Sequence, residues 1–419
     1  MNHEKVESDS SGAGTDKFLT PPLVIIFITI FIDLVGFGIV IPLLTFWAEE
    51  FHATPLDIGL LVAVYSLMQF VFAPIWGNLS DRFGRRPILF ITILGTSVGH
   101  LMIGLAGSLW MIYAGRILAG IIGGNLATAQ AYIADVTTRE NRARGMGLFG
   151  MAFGLGFILG PSIAGVLSKF GMHVPFLFAA SLSLINAVLL YFILPEPQKH
   201  KPAVDTKRGR LAAFVDSLKD SRFATITLDY FLLVTAFSMM TTSFAYFTLV
   251  KFGYDAEKTG YLLGFVGLLA AVVQGGVFGI LAKRFGEVRI TIAGCALLVL
   301  GLATVPYVSS ASGGLPVLLV GVAVFAIGNS LASPALTSLA SKISSDAEQG
   351  QALGILQSAA SLARVIGPLL CGFLLNNALN EVDDHTLQRT FWVAAAIMFF
   401  ALITSIYFAR KSAELKTAN

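Results

Sequence analysis

The chain has 419 residues, of which 55% are hydrophobic and only 13% are charged. An ordinary soluble domain carries about 25% charged residues, so this composition excludes a soluble globular protein. The net charge of +3 is better interpreted by where the charges lie than as a sign of a nucleic-acid partner. We predict a membrane protein that crosses the bilayer many times.

Residues 1–22 are polar and lack the basic start and cleavage site of a secretory signal, so we expect a disordered cytoplasmic tail. Twelve long apolar runs follow, and only helices suit them because backbone groups in lipid must bond within their own segment. The predicted spans are 23–47, 57–76, 88–106, 109–134, 145–167, 174–194, 223–250, 258–281, 288–309, 314–340, 351–375 and 390–409. The fold class is therefore an all-α polytopic membrane protein.

The spans fall into an N-terminal six-helix bundle, 23–194, and a C-terminal six-helix bundle, 223–409. The linker, 195–222, begins with prolines that end the sixth helix. Its second part fits either a short amphipathic helix on the inner membrane surface or an ordinary solvated helix. A cytoplasmic tail, 410–419, ends the chain. With both termini inside, inner segments hold 22 of the 28 Lys and Arg residues and outer loops hold four, as the positive-inside rule requires.

A short charged stretch occurs twice in this hydrophobic chain. Gly77–Pro87 lies between two uncharged runs, and its glycines and its Arg-Phe pair return 202 positions later in Gly279–Gly286. Gly-Asn and Gly-Pro pairs of the fourth and fifth spans recur at similar offsets in the tenth and eleventh spans. This repetition predicts that the two bundles are duplicated units related by pseudo-symmetry.

Gly77–Pro87 resembles the loop between the second and third spans of the major facilitator superfamily of transporters. The surrounding sequence is most similar to the twelve-span drug–proton antiporters, in their tetracycline-efflux-like branch. The resemblance implies the major facilitator fold, with substrate bound between two bundles near the midplane. It also implies a monomer in the bacterial inner membrane that acts on small molecules and protons. No cofactor, no metal and no enzyme activity are expected.

Asp33 is the sharpest single signal in the chain. It lies about ten residues into the first span, so about 15 Å deep, near the middle of a core about 30 Å thick. A charged residue at that depth is costly and indicates function, although a structural salt bridge is the alternative. Arg116 in the fourth span is predicted at nearly the same level. A contact that forms and breaks between them would switch the proton affinity of the carboxyl, whereas a permanent pair would only hold two helices together.

An inner gate is predicted around the repeated loop. Its residues are Gly77, Asp81, Arg85 and Arg86, with Asp135 at the end of the fourth span as partner. By resemblance to the family, Asp81 lies near the N-terminal end of the eleventh helix, where the helix dipole favours a carboxylate. This contact would hold the halves shut on the inside. Plain positive-inside anchoring explains the arginines equally well but does not explain Asp81.

The fifth span carries a run of glycines that resembles the antiporter motif of this family. Glycines let helices approach closely, and a proline bends the helix axis. The predicted motif residues are Gly150, Gly154, Gly156, Gly160, Pro161 and Gly165. General small-residue packing is the alternative interpretation.

Polar and aromatic residues elsewhere in the spans are candidates for the wall of a substrate cavity. They are Tyr65, Gln69, Asn125, Gln130, Asp229, Phe237, Met240, Gln274, Gln357 and Arg364. Asp229 and Arg364 are also candidates for pairing with each other. The third-span acid of the tetracycline pumps is replaced here in the region of Gly99 and His100, which argues against tetracycline itself as substrate.

We therefore predict a secondary active transporter that exports lipophilic small molecules, cationic or zwitterionic ones included, in exchange for protons. One alternative is a symporter or uniporter of a specific metabolite, which needs a polar, charge-matched cavity. A non-transporting membrane receptor is the second alternative, and it would need neither Asp33 nor the inner gate.

Overall fold

The computed structural model describes residues 20–137, 141–197, 219–344 and 349–417, and these residues are helical with no strand. The all-α prediction is confirmed. Eleven of the helices among them are long and apolar enough to cross a membrane, and the fifth is 27 residues long. We number twelve segments α1 to α12: Pro21–Glu49, Pro55–Phe83, Arg85–Gly104, Leu109–Val136, Arg142–Ser168, Val174–Ile193, Ser221–Phe252, Ala256–Phe285, Glu287–Tyr307, Gly314–Ile343, Gln349–Leu375 and Asp384–Thr417.

The helices run past the apolar stretches that predicted them. The loop expected at Gly77–Pro87 is reduced to one residue, because α2 continues to Phe83 and α3 begins at Arg85. The residue between them, Gly84, has a φ of 108°, and Gly286 between α8 and α9 has a φ of 78°. Glycine adopts such angles without strain, so the sequence repeat marks two sharp turns between helices.

The chain ends and the linker differ from prediction where the structure describes them. α12 continues to Thr417, so most of the predicted tail 410–419 is helical. Lys411 to Thr417 contains no glycine or proline that would stop a helix. The amphipathic helix predicted in the linker, and residues 1–19 of the predicted tail, lie outside the described residues.

The two halves pack their helices in the same pattern. In the first half α1 packs against α5 and α6, α3 against α4 and α6, and α2 against α4. In the second half α7 packs against α11 and α12, α9 against α10 and α12, and α8 against α10. Adding six to each helix number converts one set into the other. The duplication predicted from the sequence is therefore present in the packing.

The halves meet through α2 with α11, α5 with α8, and α1 with α7. We call the side that holds the start of α1 and the end of α12 the inner side. On the outer side, a Cβ at Gly59 would lie 2.5 Å from the Pro368 carbonyl oxygen. A Cβ at Gly260 would lie 2.5 Å from the Pro161 carbonyl oxygen. We call these two symmetric contacts the outer gate, and only glycine permits them.

The inner ends of the same four helices are apart. A Cβ built at Gly77, Gly154, Gly279 or Gly354 would meet no other element within 4 Å. Each of these glycines is on the inner part of α2, α5, α8 or α11. The molecule is therefore closed on the outer side and open on the inner side.

Candidate functional site

A cavity of about 1100 Å³ lies between the two halves. Asp33 and Arg116 line it, as do Gly77, Gly154 and Pro161. Nine of the ten residues predicted for the cavity wall are also there: Tyr65, Gln69, Asn125, Gln130, Phe237, Met240, Gln274, Gln357 and Arg364. Such a volume suits a drug-sized molecule, since ligand pockets measure about 300–1000 Å³.

Asp229 is the exception, because the structure places it away from the cavity. Its two carboxylate oxygens accept hydrogen bonds from Thr404 and, at 2.7 Å, from the Ser405 hydroxyl. Both hydroxyls belong to α12 of the same half. α7 therefore turns Asp229 into the bundle, where it links two helices. No ion pair joins it to Arg364 among the described residues, so the suggested pairing is not formed.

Asp33 is buried on α1 with one hydrogen-bond partner. The Asn125 amide donates to its Oδ2 at 2.6 Å. Its Oδ1 has no partner within the part of the chain that the structure describes. A carboxyl with one bonded oxygen and one unbonded oxygen, on the wall of a cavity, is placed to take up and release a proton.

A break in α4 positions Asn125. The helix is interrupted at Gly123 and Gly124, and a Cβ at Gly124 would lie 2.3 Å from the Trp76 side chain. The carbonyl groups freed by the break are bonded: Trp76 Nε1 donates to Ile121 at 2.6 Å, and the Gln69 amide donates to Gly123 at 3.1 Å. Asn125 begins the second part of the helix, so its side chain faces α1 directly.

Arg116 is not the partner of Asp33. Its Nε donates to the Leu61 carbonyl at 3.1 Å, and its guanidinium lies 4.2 Å from the centre of the Tyr65 ring. No ion pair joins Arg116 to Asp33 among the described residues, and Asn125, nine residues further along α4, bonds Asp33 instead.

Aromatic rings surround the middle of the cavity. The Phe37 ring lies 6.0 Å from Tyr65 and 6.1 Å from Phe157, measured between centroids. Such distances are typical of favourable aromatic pairs. Phe237 stacks on Phe325 at 5.9 Å in the second half. The cavity therefore offers apolar faces from both halves.

Arg85 is the centre of the cluster predicted as an inner gate. Its guanidinium pairs with Asp81 at 2.5 Å and with Asp135 at 2.8 Å, and donates to the Ser80 hydroxyl. Arg86 instead donates to the Tyr191 carbonyl and lies over the Tyr191 ring. The Asp81 side chain is 57% exposed, which fits a contact that is open in this inward-open shape.

Glu196 belongs to the same cluster and was missed. Its carboxylate accepts the backbone N–H groups of Arg85 and Arg86 at 2.6 and 2.9 Å, at the start of α3. A negative charge is favoured at a helix N-terminus. The sequence did contain a signal for Glu196, because this acid stands between Pro195 and Pro197 directly after the sixth span.

The residues of the predicted antiporter motif face α1, α8 or the open cavity. Gly156 and Gly160 face α1, since Cβ atoms there would lie 2.7 Å from Leu34 and Gly38 respectively. Pro161 and Gly165 face α8 at the outer gate. Gly154 faces the open cavity, and Gly150 lies one turn before it on the same helix. The glycine run therefore packs α5 against both α1 and the other half.

His100 is a second residue that the sequence did not assign to the site. It lines the cavity and is buried, and its Nδ1 has no hydrogen-bond partner among the described residues. Among the described residues, no group of three or more His, Cys, Asp or Glu side chains could hold a metal ion. The site is thus built from a carboxyl, amides, arginines and aromatic rings.

Comparisons with known proteins agree with this architecture. The family model described as Major Facilitator Superfamily matches residues 26–315 and 276–419. The tetracycline resistance protein, class C, of Escherichia coli is 33% identical over 393 residues, covering 92% of this chain and 96% of that protein. Multidrug resistance protein 2 of Bacillus subtilis (strain 168) is 30% identical over 405 residues, covering 94% of this chain and 97% of that protein.

A solved structure has the same fold at low identity. The bacterial homolog of the human lysosomal transporter Spinster, in its inward-facing and unoccupied conformation, superposes with a TM-score of 0.78 at 15% identity. The match covers 95% of this chain and 98% of that chain. From the family match, the relatives and the twelve-segment fold, this chain belongs to the Major Facilitator Superfamily of membrane transporters, in the branch of the tetracycline- and multidrug-resistance proteins.

Proposed function

We propose that this protein is a secondary active transporter that exports lipophilic small molecules in exchange for protons by alternating access. Its relatives named for tetracycline and multidrug resistance support export as the direction. A cavity of about 1100 Å³, walled by aromatic rings and amides, supports a lipophilic substrate of drug size.

The observation that carries the proposal is the position of Asp33. It is the only carboxyl among the described residues that line the cavity. It is buried, and within the part of the chain that the structure describes it is bonded by Asn125 alone and forms no ion pair. A membrane protein keeps such a costly group where it serves proton or ion transfer. Asp33 is therefore the proton carrier, and Asn125, not Arg116, is its partner in this conformation.

Alternating access requires that the two ends of the cavity exchange their states. The outer gate is closed here, and the Lys169 ammonium bonds Glu257 of α8 across the same junction at 2.8 Å. When the outer gate opens, α2 and α5 approach α11 and α8 on the inner side. We propose that Asp81 then reaches the N-terminal end of α11 and holds the inner side shut.

The remaining proposals follow from the charge distribution and the family. The excess of Lys and Arg at the inner side supports cytoplasmic termini. The bacterial relatives support a location in the inner membrane. The cavity is complete within one chain, so a monomer suffices for transport.

The test is transport by purified protein in liposomes with an imposed proton gradient and a mixed panel of compounds. Wild type should move lipophilic compounds only while the gradient lasts, and Asp33→Asn should lose this dependence while remaining folded. Glu381→Gln, which neutralises an exposed acid outside the cavity, is the matched control. Wild-type coupled flux in Asp33→Asn would refute the assignment. Movement of a single hydrophilic metabolite instead would establish the metabolite carrier, and no movement at all would favour a receptor.

A further inference from the structure

Two arginines face the cavity without an acidic partner. Arg116 comes from α4 in the first half and Arg364 from α11 in the second half, and both line the cavity. Neither has a carboxylate within 4.0 Å among the described residues. Both lie beside the outer part of α2, because Arg116 bonds the Leu61 carbonyl and Arg364 lies one turn before Pro368, whose carbonyl contacts Gly59.

Most of the hydrogen-bond donors of these arginines have no partner among the described residues. A guanidinium has five N–H groups. Arg116 Nε donates to the Leu61 carbonyl, and Arg364 donates one hydrogen bond, at 3.3 Å, to the Ser361 hydroxyl. The remaining donors match the two oxygens of a carboxylate or another oxyanion, which arginine binds in a bidentate manner.

The charge balance of the cavity also points to an anion. Its described wall holds two arginines but one carboxyl. That carboxyl, Asp33, already accepts a hydrogen bond from Asn125. Buried charge without a counter-charge is costly, so a ligand that supplies negative charge removes part of that cost. A cationic ligand would add to the excess positive charge instead.

We propose that Arg116 and Arg364 form an anion subsite, and that the transported molecules are amphiphiles with an oxyanion, such as a carboxylate, on an aromatic or apolar body. This inference rests on the proposed efflux function and names its substrate class. It differs from the cationic and zwitterionic molecules that the sequence analysis included among the expected substrates. Phe37, Phe157 and Phe237 hold the apolar body, while strongly hydrated dicarboxylates lose water contacts that these rings cannot replace.

The subsite also explains how substrate engages both halves. Because one arginine belongs to each half, an anion between them attracts α4 and α11 toward one ligand. Exchange of an outgoing anion for an entering proton moves positive charge inward in both steps. An inside-negative membrane potential therefore drives this exchange, whereas exchange of a monovalent cation for one proton moves no net charge.

Binding can be tested without any gradient, on the full-length purified protein. The probes are three naphthalene compounds with the same ring, carrying a carboxylate, an alcohol or a trimethylammonium group. We expect the carboxylate to bind wild type at least about tenfold more tightly than the alcohol, a difference of about 1.4 kcal/mol. Arg364→Gln should weaken carboxylate binding and so remove this difference.

Arg364→Lys and Arg284→Gln serve as controls. Lysine keeps the charge but not the paired donors, so it should retain part of the preference. Arg284 lies at the inner end of α8, does not line the cavity, and should not affect binding when replaced. The melting temperature of each free variant reports its folding. Should Arg364→Gln prove unfolded, Arg364→Lys and the three-probe comparison on wild type still decide the question.

The outcomes separate the subsite from the proposed function. Equal binding of carboxylate and alcohol by wild type, or tightest binding of the trimethylammonium compound, would overturn the anion subsite. Carboxylate selectivity that depends on Arg364, together with no proton-dependent flux in liposomes, would keep the subsite and refute antiport. Carboxylate flux that an inside-negative potential speeds up and that also requires an entering proton would support both.

Discussion

The outer gate provides the most direct test of the conformational cycle. Gly59→Ala places a Cβ 2.5 Å from the Pro368 carbonyl oxygen, about 0.9 Å short of an ordinary contact at 3.4 Å. The obstructing atom belongs to the backbone and cannot rotate away, so α2 and α11 must separate. We expect the variant to disfavour the inward-open state in which this contact forms.

The size of the effect follows from the cost of overpacking. Forcing an extra methyl group into a well-packed contact costs about 1–3 kcal/mol. Since about 1.4 kcal/mol changes an equilibrium tenfold, the ratio of inward-open to outward-open molecules should fall by about 5- to 150-fold. The gain in helix propensity from Gly to Ala, about 1 kcal/mol, stabilises both states equally and cancels.

The assay is labelling from outside with a maleimide that cannot cross the membrane. A Thr45→Cys variant supplies the target, because Thr45 lines the cavity near the outer end of α1 and is only 4% exposed. The native Cys295 and Cys371 are fully buried, and the parent without the substitution measures their background. Labelling should be faster when Gly59→Ala is added.

Gly77→Ala is the matched control, because it lies on the same helix and its Cβ would meet nothing within 4 Å. It should not speed labelling, because it adds no clash to the inward-open state. The repeat supplies a second pair, in which Gly260→Ala should act like Gly59→Ala and Gly279→Ala like Gly77→Ala. Equal labelling of Gly59→Ala and Gly77→Ala would show that the glycine contact does not set the conformational equilibrium.

Three further predictions concern α5, the inner gate and the break in α4. Gly154→Leu has room in the inward-open state, so it should fold and bind substrate but fail to turn over in liposomes, whereas Gly156→Leu clashes with Leu34 and should lower the melting temperature; full turnover of Gly154→Leu would contradict this. Asp81→Asn should change stability by less than about 1 kcal/mol, because the Asp81 side chain is 57% exposed, yet slow transport by weakening inner closure; unchanged transport would reduce the cluster to a topology anchor. Trp76→Phe should lower stability by about 1 kcal/mol in thermal melts, because the Ile121 carbonyl at the α4 break loses its donor, while Trp110→Phe, at a residue 80% exposed, should not; equal melting of the two variants would argue against the role of this bond.

The sequence by itself determined the architecture of this protein. Backbone groups in lipid must bond within their own helix, so each long apolar run could take only one structure. The repeat of Gly77–Pro87 in Gly279–Gly286 predicted the duplicated halves, and the structure places a glycine with positive φ, Gly84 or Gly286, at the same turn in each half. Most candidate cavity residues were also found, since polar side chains in a span avoid lipid and turn inward.

The partners of individual charges were decided only by the tertiary structure. Helix rotation and local breaks set which side chain meets which, and neither is written in hydropathy. The break at Gly123 and Gly124 lets Asn125 bond Asp33, while Arg116 lies over the Tyr65 ring. The rotation of α7 turns Asp229 toward α12, where Ser405 donates to its carboxylate.

The conformational state likewise came only from the structure. Under the proposed alternating access, the same sequence must fit both an inward-open and an outward-open shape, so no pattern along the chain favours one of them. Contacts between the halves decide it: the glycine contacts of Gly59 and Gly260 are made on the outer side, while Gly77 and Gly279 on the inner side face open space. Because these contacts join residues 309 and 99 positions apart, in different halves, their balance depends on how two complete bundles fit together.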